Sequence, residues 1–230
     1  MDMLTVSKLD FSVFGDIPEL QIFPARKIWE RGIFPDTSIP LFLYGIESRE
    51  SAELLKKWLL LHYGESVGAR LFVPDGIAEI CLKELDCREA YGKDVGLLIG
   101  AQPDFLKERY GFADLVRITA RLTEPDGCPW DREQTHASIA KNAVEEANEL
   151  SEAIANNDTD NILEESGDVL LQGVFHGDIA RRAGEFTTED IIDRLCKKLV
   201  SRHTHIFGGD KAATAEEALA FWNAAKKREK

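Results

Sequence analysis

Apolar runs long enough to span a bilayer are missing from this 230-residue chain, and its start, MDMLTVSKLDF, has neither a basic segment nor a continuous apolar stretch to act as a leader. The expectation is a cytoplasmic protein with no membrane partner. Positive charge is also scarce: 28 Lys and Arg stand against 41 Asp and Glu, a net charge of −13. That balance argues against a nucleic-acid polymer as partner, because phosphate contacts need clustered cations. It sets a condition too, since a polyphosphate substrate would be repelled overall, and metal ions with a local basic patch must carry its binding. The four cysteines, Cys81, Cys87, Cys128 and Cys196, form no C-x-x-C pair, which fits free thiols in a reducing compartment. Internal repeats and low-complexity tracts do not occur. What is there is an ordinary globular composition, 44% hydrophobic and 30% charged, on a chain long enough for one large or two small domains.

Before residue 38 the pattern says little. Pro18, Pro24 and Pro35 punctuate it, and pieces such as LQIF (20–23) are too short for more than possible strands. Residues 39–46 (IPLFLYGI) then read as a buried strand, 47–64 as an amphipathic helix ended by Gly64, 69–73 as a second strand, 74–76 (PDG) as a turn and 77–82 as a third strand. GLLIGAQ (96–102) reads as a strand leading out of this unit into a linker at 103–110. Beyond the linker the pattern turns helical, with a first helix at 112–122 and a loop fixed by Pro125, Gly127 and Pro129. Long helices follow over 135–156 and 159–184, the second with Asp158 as N-cap. A further helix runs from Thr187 or Thr188 to about His205, and Thr214 with Glu217 forms a capping box for a last one at 215–228. The expected fold is α+β overall: a small α/β domain over 1–105, then an all-α helix bundle over 106–230.

The chemistry concentrates at 143–176. Glu146 and Glu149, then Glu165 and Asp168, form two i, i+3 pairs on successive helices joined by a polar turn at 156–160. The first helix sets Ile139, Ala143, Ala147, Leu150 and Ile154 on one apolar stripe, with Glu146 at its margin and Glu149 one step further round. Glu145 and Glu152 point away as solvated charges. The second helix is apolar nearly all round over 169–175, the mark of a helix buried in a bundle, yet Glu165, Asp168, Gln172 and His176 run along it as one polar stripe. Carboxylates beside a buried surface are costly unless paired or bound to a cation. Helices joined by so short a turn are antiparallel neighbours, so the two pairs can converge. Four carboxylates around one point suit a hard cation, Mg²⁺ or Mn²⁺. Two other patterns carry less. His203 and His205 splay their rings apart on a helix and fit a C-terminal cap better than a zinc site. Glu133 to His136 spells E-x-x-H once and at a helix start, where a di-iron site needs it on each of two core helices.

The ordered set EExxE (145–149), a spacer and ExxD (165–168) resembles the MazG family of all-α nucleoside triphosphate pyrophosphohydrolases. The flanks agree: CPWDREQTH (128–136), LEESGDVLLQGVFH (163–176), KLVSRHTHIFG (198–208) and WNAAKKREK at the C-terminus. The similarity covers roughly residues 112–230. It departs from the family at Asn148, Ser201, Thr204 and Phe221, none of them in the carboxylate set, so the departures bear on substrate preference more than on the reaction. The resemblance implies Mg²⁺-dependent attack of water on the α-phosphorus of a nucleoside triphosphate, with Glu146, Glu149, Glu165 and Asp168 as metal ligands and catalytic groups. Lys198 and Arg202, i, i+4 on one face, and Lys226 in the tryptophan–lysine segment are candidate phosphate contacts, each readable also as a solvated surface charge. Gln172 belongs to the polar stripe of the site. Trp130, in its Pro-containing loop, can stack on the base or seal the bundle; Trp222 fits the core.

A homodimer is expected on two grounds, the resemblance itself and the apolar faces of 169–175 that one neighbouring helix cannot cover. In the N-terminal half, PLFLYGIESRESAELLKKWLL (40–60) with LKELD (82–86) resembles the latter half of a tetrapyrrole (SAM-dependent) methylase domain. The glycine-rich cofactor loop of a complete methylase does not occur, so this half is expected to be a remnant that does not bind S-adenosylmethionine. The alternative to an enzyme is a nucleotide-binding or regulatory MazG-like protein with weak turnover. A di-metal carboxylate redox protein is disfavoured by the missing second E-x-x-H.

Overall fold

In the computed structural model, which describes residues 17–89 and 91–228, the chain divides into two units, residues 1–114 and 115–230. The start of the chain, where no leader is expected, lies outside the described residues. The first unit is built on a five-stranded sheet of order β1-β2-β5-β3-β4, from β1 (Gln21–Pro24), β2 (Leu41–Ile46), β3 (Gly68–Val73), β4 (Gly76–Cys81) and β5 (Gly92–Ile99). β1 and β2 run parallel and are joined through α1 (Ala25–Glu30); the other pairings are antiparallel. Register decides which face each side chain takes. Leu43, Leu97 and Leu71 stand side by side across β2, β5 and β3, fully buried in the larger core with Ile28 of α1 and Ala52, Leu55 and Leu59 of α2 (Arg49–Leu59). Their neighbours Phe42 and Leu98 turn to the opposite face and pack with Ile22, Tyr44 and Phe72.

Two expectations for this half change, and one element is added. GLLIGAQ does not lead out of the unit: its first four residues belong to β5, the middle strand of the sheet. The helix expected to reach Gly64 stops at Leu59, and the chain turns so that His62 and Tyr63 enter the interior. α1, only six residues long, is too short to show a period in the sequence.

The helices that follow are α3 (Phe112–Thr123), α4 (Pro129–Arg132), α5 (His136–Ala155), α6 (Thr159–Ala183), α7 (Thr188–Arg202), α8 (Thr204–Phe207) and α9 (Ala215–Arg228). α5 opens on a capping box: Thr135 Oγ1 accepts the Ser138 N–H at 3.2 Å, and Ser138 Oγ accepts the Thr135 N–H at 2.9 Å. Asp158 caps α6 by accepting the Asn161 N–H at 3.2 Å. The turn between these helices needs only residues 156–158, with Asn157 at φ 54°, a left-handed position that asparagine tolerates. α6 carries the core residues Val174, Phe175, Ile179 and Ala180, and Phe175 and Ile179 cluster with Ile139 of α5. Gly177 allows α7 to start against α6, because a Cβ there would lie 2.3 Å from Thr188 Oγ1 and 3.0 Å from its backbone. Next to it, buried Asp178 accepts hydrogen bonds from Thr123 Oγ1 at 2.6 Å and Arg181 Nη2 at 2.6 Å.

The bundle is more open than its sequence pattern implies. Val169 and Leu170 are exposed and the buried run of α6 begins at Val174, so 169–175 is not enclosed within one chain. Of the stripe from Ile139 to Ile154, only Ile139 is buried. The main helix contacts of α6 are with α5 and α7. The helix expected to run to His205 breaks at His203, whose Nδ1 donates to the Leu199 carbonyl at 2.6 Å, and restarts as α8. At α9, Thr214 Oγ1 accepts the Glu217 N–H as expected, but the Glu217 carboxylate accepts from Ala213 N–H instead of Thr214. No helix among the described residues is long and apolar enough to cross a membrane. The fold class is the expected one, a sheet-containing α/β unit followed by helices.

Candidate metal centre

The short turn at 156–158 lays α5 and α6 side by side, and three carboxylates meet across them. One oxygen each of Glu146, Glu165 and Asp168 lies within 4.8 Å of the other two. Glu165 Oε2 is buried and has no hydrogen-bond partner, which is costly for a carboxylate oxygen unless a cation satisfies it. Both glutamates hold their protons more tightly than an ordinary carboxyl group. For Glu146 the causes are burial, then the charges of Asp168, Glu149 and Glu165; for Glu165 they are burial, then Glu149 and Asp168. Glu149 is exposed at the rim: both of those groups feel its charge, but it stands outside the cluster of three. Glu145 and Glu152 are exposed, as their positions on the helix imply.

Beside Glu146 opens a cavity of about 160 Å³ that Trp130, Asn142 and Gln172 also line, floored by Ile139, Leu171 and Phe175. Trp130 and Gln172 are therefore brought to Glu146, and Trp130, 60% exposed, does not seal the bundle. Asn142 was not singled out by the sequence, although it precedes Glu146 by four residues and so shares its helix face.

Lys198, Arg202 and Lys226 do not line this cavity. Lys198 lies along a separate groove of about 470 Å³ with Phe186, Ile191 and Leu195. Arg202 sits over Trp222, 5.1 Å from the ring centroid, and Trp222, half-buried, also meets His203 edge-on. Lys226 is exposed on α9. His176, the last residue of the polar stripe, turns away from the carboxylates to His136. Their Nδ1 atoms are 2.7 Å apart, so one of them donates to the other, and burial followed by the neighbouring ring lowers the pKa of His176. His203 and His205 come within 5.7 Å because the helix ends between them, and neither joins the metal-type cluster found among the described residues. All four cysteines are free.

Residues 134–207, which include both carboxylate-bearing helices, match the family model of the MazG nucleotide pyrophosphohydrolase domain. The matched residues all lie in the helical unit. Over 97 residues the chain is 53% identical to the nucleoside triphosphate pyrophosphohydrolase/pyrophosphatase MazG of Thermotoga maritima, a match spanning 42% of this chain and 38% of that protein. Over 117 residues it is 42% identical to the nucleoside triphosphate pyrophosphohydrolase of Escherichia coli K12, spanning 50% of this chain and 44% of that one. The crystal structure of a mazG-related protein from Thermotoga maritima aligns with a TM-score of 0.44 at 28% identity, over 50% of this chain and 98% of the other. The chain spans less than half the length of these two curated relatives.

Proposed function

We propose that this protein is a Mg²⁺-dependent pyrophosphohydrolase, cleaving nucleoside triphosphates to the monophosphate and pyrophosphate in the cytoplasm. The observation that carries the reading is the meeting of Glu146, Glu165 and Asp168 within 4.8 Å around the unpartnered Glu165 Oε2. Clustered carboxylate oxygens fit Mg²⁺, and equally Mn²⁺, with Glu149 at the rim as a fourth ligand. The bound ion would neutralise charge on the phosphate oxygens and acidify the water that attacks the α-phosphorus. One carboxylate of the four can take up that water's proton. Trp130 and Gln172, in the cavity beside Glu146, take the nucleoside end, by stacking and by hydrogen bonding. Lys198, Arg202 and Lys226 are the candidate phosphate contacts. The names of the relatives, nucleoside triphosphate pyrophosphohydrolases, support the same reaction.

On the same reading the protein is a homodimer, whose second copy covers the exposed apolar side chains of α5 and α6, Val144, Leu163 and Leu170 among them. It has neither a nucleic-acid polymer nor a membrane as partner, and its N-terminal unit is a methylase-like remnant. Pyrophosphate release from a panel of standard and base-modified triphosphates, with and without Mg²⁺, tests the proposal. Release that needs Mg²⁺ supports it. Tight binding of triphosphates with no release from any of them would sink the enzyme and leave the regulatory alternative.

A further inference from the structure

Two histidines stand beside the candidate site without a part in the proposed reaction. His136 opens α5, and His176 lies one turn beyond Gln172 on α6. Their Nδ1 atoms, 2.7 Å apart, are far closer than the ring centroids at 5.0 Å, and the ring planes differ by only 15°. The rings therefore meet edge to edge in nearly one plane, the geometry of an N–H···N hydrogen bond. Such a contact holds one proton. A neutral pair shares it, and so does a singly charged one, but a further proton sets two N–H groups against each other. Burial, and then the charge of His136, lowers the pKa of His176. Of the charged groups on the surrounding elements, Glu185, just after α6, brings Oε2 to 3.9 Å from His136 Nε2. Asp178 is taken by Thr123, Arg181 and Arg182, Asp190 by the Thr187 cap, and Arg132 by the Pro125 carbonyl; Glu133, Lys141 and Glu189 are exposed. Glu185 can offset one positive charge on the pair, not two.

The pair is the last rung of a ladder across α5 and α6. Glu146 meets Glu165 and Asp168, Asn142 and Gln172 line the cavity together, Ile139 packs on Phe175, and His136 meets His176. Trp130, in α4, lies just ahead of His136 in the chain. Trp130 and Ile139 thus flank His136, and Gln172 and Phe175 precede His176, so parting the two rings moves both walls of the cavity. We propose that the His136–His176 pair positions this cavity for the nucleotide: with one shared proton it ties the first turn of α5 to α6, and with a second it lets go. The inference rests on the reading that the cavity takes the nucleoside end of a triphosphate. Loosened walls leave the carboxylates on their own rungs, so substrate binding weakens while the chemical step keeps its rate.

Amide hydrogen exchange in the metal-free full chain tests the tie without any substrate. At residues 139–143, corrected for the intrinsic effect of pH, exchange should speed up about tenfold from about pH 7.5 to about pH 5. His136→Asn sets an amide near the place of Nδ1 and does not titrate, so it should keep the protection at both pH values. His136→Ala should lose it at both. With a triphosphate of the panel that is hydrolysed, His136→Ala should raise KM about fivefold at neutral pH, with kcat within about twofold of the parent. His136→Asn should restore the parent KM, and that KM should climb less in acid than the parent's does. The carboxylates are the same in both proteins, so the difference between the two pH profiles reads the pair alone. Protection at 139–143 that does not fall in acid, or that falls as far in His136→Asn, would overturn the inference. So would a His136→Ala protein that loses the protection yet keeps its KM. If no triphosphate is hydrolysed, the reaction proposed for the carboxylates fails, and the exchange results still decide whether the pair is the tie.

Discussion

Replacing Asp168 with Asn keeps the shape of a side chain in the carboxylate cluster while removing one of its negative charges. The metal-free variant should melt at or above the temperature of the parent, because repulsion falls. Mg²⁺ should bind more weakly, and pyrophosphate release should drop about 100-fold or more, as charge neutralisation at the phosphate is lost. Glu152→Gln, on the exposed side of α5, should do neither. An Asp168→Asn protein that melts early yet turns over normally while folded would mean a salt-bridge role instead. The same cluster fixes a pH dependence. Glu146 and Glu165 hold protons more tightly folded than unfolded, so their contribution to stability is complete below about pH 4.5 and is lost as pH rises through their raised values. Melting curves of the metal-free protein should therefore decline over that range, and millimolar Mg²⁺ should offset the decline; a Mg²⁺ effect that does not grow with pH would count against the cluster as its site. These carboxylates were legible in the sequence because i, i+3 spacing on two helices joined by a short turn fixes where the Cβ atoms point. Where Lys198, Arg202 and Lys226 point was not, since a long cationic side chain declares its charge but not its direction, and Arg202 lies over Trp222. His62 gave no signal at all: a histidine near the end of an amphipathic helix looks solvated until the chain is seen to turn inward after Leu59.

Helix identities and starts followed from local chemistry. Thr135, Asp158 and Thr187 all cap where hydroxyl or carboxylate side chains precede an apolar period, because a cap is a contact between residues three apart. Where elements stop or whom they meet depends on residues far away. The strand character of β5 is plain in its sequence, but its place between β2 and β3 rests on pairings with residues 41–46 and 69–72, which no local pattern encodes. The contact of α6 with α7 is a similar case, hidden in a single glycine. Gly177→Ala would push a methyl group into Thr188 Oγ1 and its backbone, and should lower stability by about 1–3 kcal/mol through a forced shift of the start of α7. Gly173→Ala, four residues earlier on the same helix with open space around its Cα, is the control and should be neutral or slightly stabilising in denaturant unfolding. Equal losses at the two positions would show that helix propensity, not the close approach, decides.

For the molecule as a whole, Leu163 at 77% exposure is the most open of the large apolar side chains on α6. Light scattering at micromolar concentration should give twice the chain mass of 25.8 kDa, and Leu163→Glu, which removes no contact within the chain's own core, should bring it toward the single-chain value. A monomeric parent would refute the dimer. The central position of β5 bears on something else, the order in which the chain is made. β1 to β4 are complete before Gly92 has been added, yet β2 and β3 are not neighbours until β5 lies between them. A chain that ends before Gly92 therefore lacks the strand that joins β1-β2 to β3-β4, and Leu43 and Leu71 are without Leu97 between them. Joining the two pairs is a single late closure over long intervening loops, slower than forming the helices that follow. Until that moment the unpaired edges are templates for strands of other chains, so an interrupted synthesis that ends before residue 92 leaves a product prone to aggregate.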